Sequence, residues 1–179
     1  MNFYAQGHEI KLNEGLTREE MWNHLQAFAE DRGLILVELL CDGESLGYED
    51  FLTVPEGLDI EVVMATPHDI AREVLQMLVT DSAEIDEALA TGKAHLGRVL
   101  SFYQNACQYI RWLSTAFPEW LADERMFAAA SQMVDLLQAH DDLPPADLMS
   151  QALDEWTEAL TEGVKEMDQY WRASREDSE

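Results

Sequence analysis

The strongest constraint on this chain is a change of hydrophobic period at Thr66-Pro67. Before it, Leu58, Ile60, Val62 and Met64 alternate with Asp59, Glu61, Val63 and Ala65. That period of two belongs to a strand with one buried face. After it, the apolar stripes recur at three and four residues, as helices require. The junction carries its own start signal. Proline suits the first helical position, Thr66 can cap the orphan amides, and Asp69 sits where the helix dipole favours a negative charge. We therefore expect a mixed unit over residues 1–66 and an all-helical unit over residues 67–179.

Within the first unit, Asn2–Ala5 and His8–Leu12 are short strand candidates around Gln6-Gly7, a gap of hairpin size. Thr17 and Glu20 stand three apart, the spacing of a capping box. Met21, Trp22, Leu25, Phe28 and Ala29 follow at helical spacing until Gly33. Leu34–Cys41 is nearly continuous apolar sequence, as a central strand would be, and Asp42-Gly43 turns the chain. Glu44–Gly57 reads as irregular. The final strand then leads to Thr66.

Strand, strand, helix, strand, strand is the order of the ubiquitin-like β-grasp fold, which the first 66 residues resemble in element order. The whole layout also resembles uncharacterised bacterial proteins in which a β-grasp domain precedes a helical one. Unlike the conjugating and sulfur-carrier branches of that superfamily, the segment has no free Gly-Gly end and continues into Thr66-Pro67-His68-Asp69. The resemblance therefore implies a fold here and no conjugation chemistry.

The second unit shows successive stripes. Ile70, Val74, Met77, Leu78, Ile85 and Leu89 form the first, with a break expected near Thr80-Asp81-Ser82 and a stop at Gly92. Leu96, Val99, Leu100, Tyr103, Cys107, Ile110 and Leu113 form the next, ended by Phe117-Pro118. A third runs from Trp120 and Leu121 through Met126, Phe127, Ala130, Met133 and Val134 to Leu137, and His140–Pro145 is a loop. The last helix, about Asp147 to Arg175, places Met149, Leu153, Trp156, Leu160, Val164, Met167 and Trp171 at nearly heptad spacing. Four or five helices with short connections predict an antiparallel bundle, and the fold class expected is α+β. Glu176–Glu179 reads as a frayed tail.

The charge balance narrows function. With 36 acidic and 11 basic residues the chain carries −25, which repels phosphate backbones and anionic lipids. Nucleic acid and membrane surfaces are not expected partners, and no apolar run reaches the ~18 residues of a membrane span. Cys41 and Cys107 form no CxxC, and Met1–Lys11 lacks the order of a signal peptide; both point to the cytoplasm.

Motifs of catalysis fail on spacing. None of His8, His24, His68, His95 and His140 has Glu three residues before it, so the di-iron pattern Glu-x-x-His is missing, as are His-Glu-x-x-His, the EF-hand run and Gly-x-Ser-x-Gly. Gly92-Lys93 lacks the remaining elements of a phosphate loop. Glu20 and His24 share a helix face as a solvated pair. Asp123-Glu124, Asp141-Asp142 and Asp154-Glu155 read as solvated faces and loops. No cofactor or metal is expected.

The aromatic and Met-rich stripe of the last helix is the remaining signal. At ~1.5 Å per residue this helix is the longest in the chain, so its end is expected to overhang its neighbours and expose Tyr170-Trp171. Trp156, Met167, Tyr170 and Trp171 are accordingly the candidate interaction residues. The expected function is a non-enzymatic cytoplasmic interaction module, adaptor or assembly factor. Its partner would be a protein, basic or helical, or a second copy in a homodimer, met through helical apolar faces or a sheet edge. The alternatives are an export-type chaperone for one client, a carboxylate- or metal-dependent enzyme using His68 or His140, and a nucleic-acid mimic.

Overall fold

The computed structural model describes residues 1–176 and is α+β, with five strands and six helices among those residues. The tail expected over Glu176–Glu179 lies outside them beyond Glu176. Contacts divide the chain into a unit over Met1–Ile70 and a second from Ala71 onward.

In the first unit, β1 (Asn2–Ala5) and β2 (His8–Ile10) form a hairpin, followed by α1 (Arg18–Glu30), β3 (Ile35–Cys41), β4 (Glu44–Leu46), α2 (Tyr48–Thr53) and β5 (Asp59–Ala65). Both tight turns are of the kind whose two central residues need positive φ: Gln6 and Gly7 at 51° and 78°, Asp42 and Gly43 at 52° and 83°. The sheet order is β2-β1-β5-β3-β4, with β1 and β5 parallel and the other pairs antiparallel. Helix α1 opens with the expected capping box. Thr17 N donates to Glu20 Oε2 at 2.7 Å and Glu20 N to Thr17 Oγ1 at 3.3 Å. Its Leu25 packs with Phe3, Leu39, Ile60 and Val62 of the sheet, Phe51 of α2 closes the core, and Ala29 is buried.

The stretch 44–57 is ordered, contrary to the irregular reading. Glu44, Ser45 and Leu46 pair with Cys41, Leu40 and Leu39, and α2 buries one side chain, Phe51, with Tyr48 edge-on to Trp22. Three residues are too few to display a period of two, and one buried side chain too few to display 3.6.

The second unit contains α3 (Pro67–Ala90), α4 (Leu96–Ala116), α5 (Asp123–Gln138) and α6 (Ala146–Glu176), α3 beginning at the end of the first. Thr66 Oγ1 accepts from Asp69 N at 3.1 Å, the cap expected. No break occurs at Thr80–Ser82. Thr80 Oγ1 donates to the Gln76 carbonyl at 3.0 Å, and Ser82 points into the core. Gly92 closes α3, with Gly92 N donating to Leu89 O and Lys93 N to Ala88 O. Helix α5 begins at Asp123, so Trp120 and Leu121 lie in the preceding connection, the first buried and the second exposed.

The helical core centres on Trp156 of α6. Its ring meets Phe102 and Tyr103 edge-on at 6.0 and 5.6 Å, and Nε1 donates to Ser82 Oγ at 2.9 Å. Burying the indole costs little because its one polar atom has a partner.

Candidate interaction surfaces

The stripe on α6 that suggested a recognition surface is largely core. Trp156 and Met167 are fully enclosed, and Met149 and Leu160 are nearly so. Tyr170 is half-buried and stands edge-on to Phe117 at 6.0 Å. Trp171 packs against the same core and lines a cleft of about 140 Å³ with Leu75, Val79, Val164 and Asp168.

The overhang expected from helix length is therefore not found at Tyr170-Trp171, and the reason lies in the α4–α5 connection. Trp120 Nε1 donates to the Gly163 carbonyl at 3.2 Å. Glu166 accepts from the amides of Leu121 and Ala122, at 3.0 and 2.6 Å. Those amides precede α5, whose Ala122 N-cap has no side-chain cap of its own. A carboxylate 44 residues away in sequence thus caps α5 and lays the connection along the C-terminal half of α6. Arg125 adds exposed ion pairs to Glu158, at 3.8 Å, and Glu162. These contribute little.

The titratable groups are mostly structural. The Thr17 amide first and its hydroxyl second hold the Glu20 carboxyl below its usual range, with His24 adding a smaller attraction. Burial pushes the Cys107 thiol up, away from the reactive thiolate form. Both Cys41 and Cys107 are free and half-buried. Burial raises Tyr103 strongly, and the charge of Asp86 adds to the effect. Asp86 is itself raised by burial. Of the two histidines singled out, His140 donates from Nδ1 to the Leu136 carbonyl at 2.8 Å, and His68 sits half-buried in the first turn of α3. Among the described residues no three His, Cys, Asp or Glu side chains converge as metal ligands, and no helix is long and apolar enough to cross a membrane.

A surface that the sequence reading missed lies on the sheet, on the face opposite α1. The register places Tyr4, Glu61, Leu40 and Ser45 in one row across β1, β5, β3 and β4, with Glu38 opposite Val63 and Ile35 opposite Ala65. A register shift between Leu36 and Glu38 makes Val37 the extra residue, and its side chain is 48% exposed. Tyr4, Ile35, Leu40 and Val63 are half-buried and lie outside the hydrophobic core of their own unit. The run Leu34–Cys41 had the composition of a strand covered on both faces. One helix layer over the sheet supplies cover for Leu36, Leu39 and Cys41 only. That mismatch, a two-sided apolar strand beside a single amphipathic helix, was the available sequence signal.

The sheet edges are less inviting. Strands β2 and β4 have three residues each and present His8, Glu9 and Glu44 to solvent, which blunts edge pairing. On the helical unit, exposed apolar side chains are Leu121 at 79%, Leu148 at 53%, Val79 and Trp112. Comparisons with protein families, with curated proteins and with solved structures find no match for this chain.

Proposed function

We propose that the first unit is a β-grasp domain and that the protein is a non-enzymatic interaction module, an adaptor or assembly factor that holds a protein partner on the sheet face opposite α1. Support for the β-grasp reading comes from the order β2-β1-β5-β3-β4 with one parallel central pair and one long helix across a single face. The observation that carries the binding reading is the apolar set Tyr4, Ile35, Val37, Leu40 and Val63, which lies outside the core of its own unit. Such side chains gain about 25 cal/mol per Å² of apolar area when a partner covers them. Glu38 and Glu61 lie within the same face, and the chain as a whole carries −25, so the partner's complement is apolar residues flanked by Lys or Arg.

The test is capture from a lysate of the source organism with the full chain and with Val37→Glu. Val37 is a bulge residue with half its surface free, so the substitution leaves the fold intact, as equal melting temperatures would verify. The proposal expects one stoichiometric partner with the wild-type chain at moderate salt and its loss with Val37→Glu. A partner retained by the variant, or none with the wild type, would refute the reading.

A further inference from the structure

Between α3 and α4, wholly within the helical unit, lies a cleft of about 320 Å³ that the interaction reading does not use. This is at the lower end of the ~300–1,000 Å³ of small-molecule sites. Its floor is apolar and belongs to the core: Leu78 and Ile85 from α3 and Phe102 from α4, all buried. Its rim is polar. Glu84 and Arg98 face each other across the mouth with Nη2 and Oε2 3.1 Å apart, so the one cation of the cleft is already engaged. Asp81, Asn105 and Tyr109 also line it, and none of these three side chains makes a hydrogen bond or ion pair with another described residue. Asp81 is half-buried, one turn of helix from Glu84 and beside the apolar floor.

We propose that this cleft is a binding site for a small organic cation with an apolar body, an aryl- or alkyl-ammonium. The apolar part takes the Leu78, Ile85 and Phe102 floor, where it displaces water from surface that cannot hydrogen-bond it. The ammonium is held by Asp81, whose carboxylate pairs with no cation among the described residues, and the Asn105 and Tyr109 oxygens can take its other protons. An anion is disfavoured on two counts. Arg98 would have to leave Glu84, and the carboxylates of Asp81 and Glu84 would repel it. The overall charge of −25 raises the local concentration of cations further.

Three probes of matched size separate these terms: 2-phenylethylamine, 2-phenylethanol and 3-phenylpropanoate, titrated into the full-length ¹⁵N-labelled chain. The proposal expects saturable amide shifts at residues 78–85 and 98–109, with the amine bound about fivefold or more tighter than the alcohol, and the acid weakest. Asp81→Asn, nearly isosteric and half-exposed, should bring the amine down to the affinity of the alcohol. Ser101→Trp, an exposed position at the mouth, should block all three. Shifts scattered over the surface, equal binding of amine and alcohol, or an amine preference that survives Asp81→Asn would each overturn the assignment.

Discussion

Replacing Gly163 with alanine tests how closely α6 approaches α5 and the connection before it. Gly163 lies inside α6, where exchanging glycine for alanine ordinarily stabilises a helix by about 1 kcal/mol. Here a Cβ would overlap Met126 Sδ and stand 3.2 Å from both Met126 Cγ and Trp120 Cζ2. Met126 is fully buried and Trp120 is 3% exposed, so neither side chain can swing out into solvent and the shift must be taken up inside the core. Overpacking of this kind costs about 1–3 kcal/mol. If Trp120 yields instead, its hydrogen bond to the Gly163 carbonyl lengthens, at a further cost of about 1 kcal/mol. Set against the helix gain, the sum when Trp120 yields is a net loss of about 1–3 kcal/mol, several degrees in melting temperature for a unit of this size. Urea unfolding followed by tryptophan fluorescence reads it well, because Trp112, Trp120, Trp156 and Trp171 all belong to the helical unit. A Met126→Ala background supplies the internal control. That change alone should cost about 2–5 kcal/mol, but it clears the main overlap, so adding Gly163→Ala there should be neutral or favourable. A Gly163→Ala variant that is more stable than the wild type in the Met126 background would refute the packing argument.

Other positions give independent tests. Glu166→Ala removes the only side-chain cap on α5 among the described residues and should cost about 1–2 kcal/mol, with Glu166→Gln retaining part of it; faster hydrogen exchange at the Leu121 and Ala122 amides would locate the loss. Tyr103→Phe deletes a buried hydroxyl that has no hydrogen-bond partner, so its urea midpoint should be unchanged or higher, whereas a loss of 1 kcal/mol or more would mean that the hydroxyl is satisfied. The same residue sets an alkaline limit. Folding holds its proton above the ordinary value near 10, through burial first and the Asp86 charge second, so the unfolded chain releases it earlier. Its contribution is intact below pH 10 and is lost as pH rises beyond it; the fall in stability between pH 9 and pH 11 should be smaller in Tyr103→Phe.

Local signals were legible in this sequence, and long-range ones were not. The capping box of Thr17 and Glu20, the Gln6-Gly7 and Asp42-Gly43 turns and the Thr66-Pro67 start each act within four residues, so each is written where it operates. The parallel pairing of Asn2 with Asp59 joins residues 57 apart, and no local pattern encodes it. Glu166 is the sharper case. On its own helix it reads as one more solvated carboxylate, and its role appears only when the turn leading into α5 presents the Leu121 and Ala122 amides to it. Helix length misled for the same reason. An overhang inferred from α6 alone took no account of Trp120 and Phe117 folding over its end. The aromatic stripe itself was correctly visible as a stripe, but periodicity does not say which of Trp156, Met167, Tyr170 and Trp171 a neighbour will cover. On β3 the continuous apolar run suggested a central strand, but Ile35 and Leu40 on one of its faces lie outside the core of their own unit.

The most direct test of the central claim is site-specific photocrosslinking in the source cells, with a benzophenone side chain at Val37 and, for comparison, at Leu148 on the helical unit. Both positions are about half exposed, so reactivity alone would not separate them. If the sheet face opposite α1 holds the partner, Val37 yields one discrete crosslinked protein that Leu148 does not. No product at Val37, or the same products at both positions, would contradict the account.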